Sequence, residues 1–207
     1  MRRVVALASL LCLSCLIAAQ TPAHQSNEKT FTSTDGTLRF SYSRWLVACE
    51  RDPHQSGWWI PEESCEAVIP VCSNIAGESE ATLACIAYPA GDLKKDTNFE
   101  GGALSVSELK GPDTERKCQS VLDLSHTAFH RETINGARFD VTEMDGAATG
   151  SREDRRVYRN FHKGKCYELD IVITSSDMYE PGTVKKFDSE KVRGALNTIL
   201  ESFEFLK

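Results

Sequence analysis

The sequence predicts an α+β fold: an antiparallel β-sheet packed by a C-terminal amphipathic helix and a shorter helix. Three observations predict it. Short runs rich in β-branched and aromatic residues recur between turn signals along most of the chain. Six cysteines follow a leader that has the pattern of an export signal. The final segment is helical in period, with Val192, Ala195, Leu196, Ile199, Leu200 and Phe203 recurring every three or four positions.

Arg2 and Arg3 open the chain, Val4 to Ile17 is an apolar run broken only by Ser9 and Ser14, and Ile17-Ala18-Ala19 before Gln20 fits a signal-peptidase site. Residues 1–19 are expected to be removed on export, which places the mature chain in a secreted or periplasmic setting. The apolar run is shorter than the about 20 residues that span a bilayer, and no later stretch reaches that length. Cys15 is a poor lipid-anchor site because apolar residues continue beyond it, so cleavage after Ala19 is preferred. A polar leader over 20–29 then precedes one domain, residues 30–207, long enough for a core of its own.

Thr30 to Ser33 and Thr37 to Tyr42 flank Asp35-Gly36, a hairpin signal. Trp45 to Cys49 is a third apolar run, followed by a polar loop from Glu50 to Glu66 that carries Trp58 and Trp59. Ala67 to Cys72 and Ala81 to Tyr88 predict a second hairpin, and Ala103 to Glu108 a further strand ended by Gly111-Pro112. Asp113 stands at an N-cap position before a short helix bearing Cys118, Val121 and Leu122. Ala137 to Met144, Arg155 to Phe161 and Cys166 to Thr174 predict an antiparallel meander, its last two strands joined by a tight turn at residues 162–165. The closing helix is capped by Asp188 and stapled by Phe187 and Val192.

Leu38-Arg39-Phe40-Ser41-Tyr42 with Trp45, Ile134-Asn135-Gly136-Ala137-Arg138-Phe139, Tyr167-Glu168-Leu169-Asp170-Ile171, and the terminal string from Ile199 to Phe205 together resemble the PsbP-like superfamily. The resemblance covers most of residues 30–206 and implies an α/β/α sandwich. Cys49 to Cys85 departs from the plain family pattern as a disulfide-bearing elaboration. It also implies a binding or assembly module rather than an enzyme, with no cofactor and an unnamed protein or small ligand as partner.

The whole chain has 24 basic and 30 acidic residues, a formal charge of −6, and loss of the leader removes two more arginines and no acid. That balance disfavours nucleic acid and anionic membrane surfaces as partners. Glu168 and Asp170 alternate with Tyr167, Leu169 and Ile171, so they share the strand face opposite the apolar stripe. With Arg155, Arg156 and Arg159 they form either a charged groove or, as the favoured reading, cross-strand ion pairs. Trp58 and Trp59 offer a stacking surface or, as preferred, cover for a small core. The candidate ligand surface is therefore Trp58, Trp59, Arg156, Glu168 and Asp170.

His126 and His130 have the spacing of paired zinc ligands but lack the zincin glutamate, and Asp140, Glu143 and Asp145 read better as a solvated strand end than as an acid-base pair. No metal or catalytic residue is assigned. A secreted hydrolase with an unrecognised active site is the alternative function.

In an oxidising compartment Cys49, Cys65, Cys72, Cys85, Cys118 and Cys166 read as three disulfides. The preferred set pairs Cys49 with Cys65, Cys72 with Cys85 and Cys118 with Cys166, because the first two close nearby segments and the third ties the short helix to a strand. Thiol titration of the unfolded, unreduced mature protein should find no free cysteine. Two or more reactive thiols per chain would contradict full pairing.

Overall fold

The computed structural model describes residues 27–49, 80–119, 127–148, 150–179 and 182–207. The export signal, the loop over 50–66 with Trp58 and Trp59, the strand expected over 67–72, Cys65, Cys72, Val121, Leu122 and His126 lie outside the described residues.

Two antiparallel sheets carry the described chain. The smaller has the order β1-β2-β10, where β1 is Glu28–Thr32, β2 is Leu38–Ser43 and β10 is Glu204–Phe205. The larger contains β3 (Val47–Cys49), β4 (Glu80–Ala87), β5 (Phe99–Leu109), β6 (Thr127–Ile134), β7 (Ala137–Ala148), β8 (Ser151–His162) and β9 (Lys165–Ser176). Its order is β3-β4-β5-β9-β8-β7-β6. Three helices complete the described elements: α1 (Gly91–Asp96), α2 (Thr114–Gln119) and α3 (Ser189–Glu201). The α+β class expected from the sequence is the class observed.

The opening hairpin folds around one hydroxyl. Ser33 Oγ donates to Asp35 Oδ1 at 2.7 Å and accepts from the backbone N–H groups of Thr37 and Leu38 at 3.0 and 3.1 Å. Lys165 Nζ then bonds Asp35 at 2.9 Å and Glu108 at 3.1 Å, linking this turn to β5 and β9. That bridge, more than the other contacts of Asp35, holds its carboxyl well below the ordinary carboxylate range.

Strand β6 corrects the sequence reading, which treated His130 as part of a connecting segment. Asn135 and Gly136 both take positive φ, as a two-residue type I′ turn demands, and Asn-Gly is the strongest short hairpin signal. The turn is also anchored. Asn135 Nδ2 donates to the carbonyls of Glu201 and Phe203 at 2.7 and 2.9 Å, holding the hairpin against the end of α3. Helix α1 and strand β10 were likewise not read from the sequence.

One face of the large sheet, the helix side, holds the main core. Ile86, Leu104, Val106, Phe139, Val141, Leu169 and Ile171 pack there with Leu38 and Phe40 of β2 and with Val192, Leu196, Ile199 and Phe203. Helix α3 starts as expected: the Asp188 carboxylate accepts from the Lys191 N–H at 3.1 Å, and Phe187 and Val192 hold the staple positions. It can lie close to β5 because Gly102 has no side chain; a Cβ there would stand 2.9 Å from Val192 Cγ1. Arg193 and Asn197 of the same helix are only partly exposed, and Arg193 donates to Asp154 of β8 at 3.2 Å.

The far face of the sheet is covered too, as the nearly continuous burial of β5 and β9 requires. Cys118 of α2 is disulfide-bonded to Cys166 of β9, the pairing preferred from the sequence. Leu109 and Phe161 pack around that bridge. Cys49 and Cys85 are each disulfide-bonded as well, and Cys65 and Cys72, their partners in the preferred set, lie outside the described residues; Cys49 and Cys85 sit with Ala87, Ala103 and Val172 at the other end of the same face.

Ile199 is 1 % exposed on the buried side of α3, whereas Glu201 is exposed at its end. Ile199→Ala should cost roughly 2–5 kcal/mol through the cavity it leaves, and Glu201→Ala under about 0.5 kcal/mol. Urea unfolding midpoints of the two variants check this; equal midpoints would contradict docking of α3.

Candidate functional site

Between the two disulfide-bearing clusters of the far face lies a polar band. Reading along β9, Cys166 belongs to one cluster, Glu168 and Asp170 to the band, and Val172 to the other cluster. The register places Ser107 of β5 and Arg159 of β8 directly opposite Glu168, and Ser105 and Val157 opposite Asp170. Period-two alternation on one strand thus puts two carboxylates on a face closed from water.

Their charges are met by arginines of β8. Arg159 Nε donates to Glu168 Oε2 at 2.7 Å, and its Nη1 donates to the Lys117 carbonyl of α2 at 3.3 Å. Arg155, one pair along the ladder, donates to Asp170 Oδ2 from Nε at 2.8 Å and also from Nη2. Glu168 is 2 % and Asp170 0 % exposed. The cross-strand ion-pair reading is therefore the one the geometry bears out for these two acids.

Asp170 is the more frustrated of the two. Both Arg155 contacts fall on Oδ2, leaving Oδ1 buried without a hydrogen-bond partner, and the facing Ser105 Oγ is buried without one as well. Burial pushes the Asp170 carboxyl up to about 7, against the opposing pull of Arg155.

Arg156 does not join this band, which corrects the sequence grouping. Neighbouring residues of a strand point to opposite faces, so Arg156 lies on the helix side, opposite Glu143 and Ile171. It pairs with Glu143 at 2.6 Å and donates to the Tyr158 hydroxyl at 3.4 Å.

Arg156 instead lines an open recess of about 440 Å³ with Glu143, Asp145, Asp154 and Arg193. Asp145 and Asp154 are shared with a neighbouring groove of about 640 Å³ between the β7–β8 hairpin, the end of β9 and the start of α3. Asn98, Arg152, Glu153, Asp177 and Lys186 also line this groove. Asp154 is held by the Arg193 guanidinium, and Arg152 pairs with Asp177 at 2.6 Å. Asp145 and Lys186 have no ion-pair partner among the described residues, whereas Glu153 shares the strand face of Arg155 and bears on the Arg155–Asp170 pair. Sequence reasoning missed the groove because its walls come from four separated segments, although Asp145 was singled out.

The remaining candidates are dispersed. Asp140 pairs with Arg131 at 2.8 Å on the far face, while Glu143 and Asp145 sit on the helix side of the same strand. His130 shares a 2.7 Å contact with Glu132, and His162 stacks on Phe205 with ring centroids 4.1 Å apart. Among the described residues no three His, Cys, Asp or Glu side chains converge as a metal site.

The sign of the Asp170 shift yields a test. A carboxyl raised from an ordinary value near 3.8 to about 7 binds more protons in the folded than in the unfolded chain across that window, so its contribution to stability falls as pH rises from about 4 to about 7 and then levels off. Urea midpoints of the wild type measured through this range should therefore decline relative to those of Asp170→Asn. Parallel profiles would contradict the shift.

No protein-family model matches the chain, and no curated protein matches it. Solved structures with a similar course of the backbone include a Bacteroides thetaiotaomicron protein with 12% identity and TM-score 0.48, covering 87% of this chain, which spans 49% of that one. LpqN, involved in cell envelope biogenesis of Mycobacterium tuberculosis, matches with 11% identity and TM-score 0.46 over 87% of this chain and 91% of its own. The cyanobacterial PsbP of Synechocystis sp. PCC 6803, which bears the name of the family whose short strings the sequence resembles, matches with 10% identity and TM-score 0.41 over 92% of this chain and 99% of its own.

Proposed function

We propose that this chain is an exported, non-catalytic binding or assembly module whose ligand docks in the groove between the β7–β8 hairpin and the start of α3. The observation that carries the reading is the contrast between its two charged regions. On the far face each acid of the band is met by an arginine, and the pairs are buried. In the groove the exposed Asp145 and Lys186 leave charges of both signs uncommitted. A polar ligand carrying both signs of charge, such as a protein loop, fits that pattern.

Export is supported by the leader and by the disulfide bonding of Cys49, Cys85, Cys118 and Cys166, which persists in oxidising compartments. No helix among the described residues is long and apolar enough to cross a membrane. The hydrolase reading gains no support from the histidines: His130 meets Glu132 and His162 stacks on Phe205, and among the described residues no hydroxyl or thiol nucleophile is hydrogen-bonded to either ring.

Affinity purification of the tagged mature chain, run beside a double variant Asp145→Lys/Lys186→Glu, tests the proposal. A molecule bound by the wild type and at least about tenfold depleted from the variant is the expected result. An identical bound set for both proteins, or turnover of generic ester, phosphate or peptide substrates by the wild type, would sink it.

A further inference from the structure

We propose that β6 is a self-association edge: two copies of the chain pair their β6 strands antiparallel about a two-fold axis at Arg131, joining their large sheets into one. The outer edges of that sheet are β3, with three residues, and β6, with eight. Short edge strands resist further pairing, whereas a long, regular one is a template for it. β6 is regular. Its register with β7 runs unbroken from Thr127↔Met144 to Ile134↔Ala137, and it contains neither proline nor glycine.

The turn decides which backbone groups face outward. In a two-residue type I′ hairpin the closing pair, here Ile134 and Ala137, exchanges its hydrogen bonds across the ladder. Alternation then directs the N–H and C=O groups of Glu132 and His130 toward β7, and those of Phe129, Arg131 and Thr133 to the free side. Among the described residues no strand lies on that side. Phe129 stands 43 % exposed on the same strand, with the Arg131 guanidinium 6.0 Å from its ring.

A second copy suits this edge because the sequence is complementary to itself in one register. With the axis at Arg131, His130 opposes Glu132 of the second copy, and the same pair recurs on the other side of the axis. Within one chain these two side chains already meet at 2.7 Å, so pairing would build an alternating array of four groups. Phe129 would lie against Thr133 of the second copy, removing exposed ring from water. The axis brings two arginines together, but Arg131 is bonded to Asp140 at 2.8 Å, which offsets the like-charge contact. The interface shares no residue with the groove.

Sedimentation equilibrium of the purified protein from about 1 to about 200 µM should reveal a monomer–dimer equilibrium. Thr133→Pro removes an outward N–H while leaving the β6–β7 ladder intact, and should weaken dimerisation at least tenfold with unchanged far-UV circular dichroism. Glu132→Arg should weaken it similarly, and adding His130→Glu should restore it; this pair decides the matter if the proline variant fails to fold. A chain monomeric throughout overturns the proposal, even if it captures a foreign strand. So does a dimer indifferent to both Thr133→Pro and Glu132→Arg.

Discussion

Burial of two carboxylates on the central strand β9 is the constraint on which the rest of the fold turns. Removing an ion from water costs several kcal/mol unless a partner is set in place, and the partner must come from the neighbouring strand in one register. Arg159 directly opposite Glu168, with Arg155 next along the ladder for Asp170, satisfies that condition. A slip of one residue between β8 and β9 would carry both arginines to the helix side and strand both acids. The same slip would expose Tyr158, now in the main core, on the far face. Polar and apolar demands therefore select one register.

The cysteines reinforce this arrangement at its ends. Cys166 lies at one end of the band, tied to α2, and at the other end Cys49 and Cys85, neighbours across β3 and β4, are each disulfide-bonded. Helix α2, only six residues long, gains little from its own hydrogen bonds, so its position depends on the bridge and on the Lys117 carbonyl that accepts from Arg159. The far face is thus closed by covalent and ionic contacts, and the helix side by apolar packing.

Charge that is neutralised internally stabilises or specifies a fold; charge left open is available to a ligand. The band and the groove differ in this respect although both are built from aspartate, glutamate and arginine. β8 contributes to both, with Arg155 and Arg159 facing the band and Asp154 lining the groove. A single strand, through its period of two, thus divides its charged side chains between two faces.

The sequence by itself determined the α+β class, the opening hairpin, the three-strand meander, the capped and stapled C-terminal helix and the far-face position of Glu168 and Asp170. These are local or periodic properties, written in turn dipeptides, cap residues and the repeats of two and 3.6. The segment before Asn135, read as a connection, is instead strand β6, although the Asn-Gly turn marks a hairpin there. Only the tertiary structure decided which arginine meets which acid, that Arg156 turns away from the band, and that Asp145, Asp154 and Lys186 share one groove. Those outcomes rest on strand order and register, which bring together residues far apart in the chain, and no local pattern encodes a contact between β9 and the start of α3.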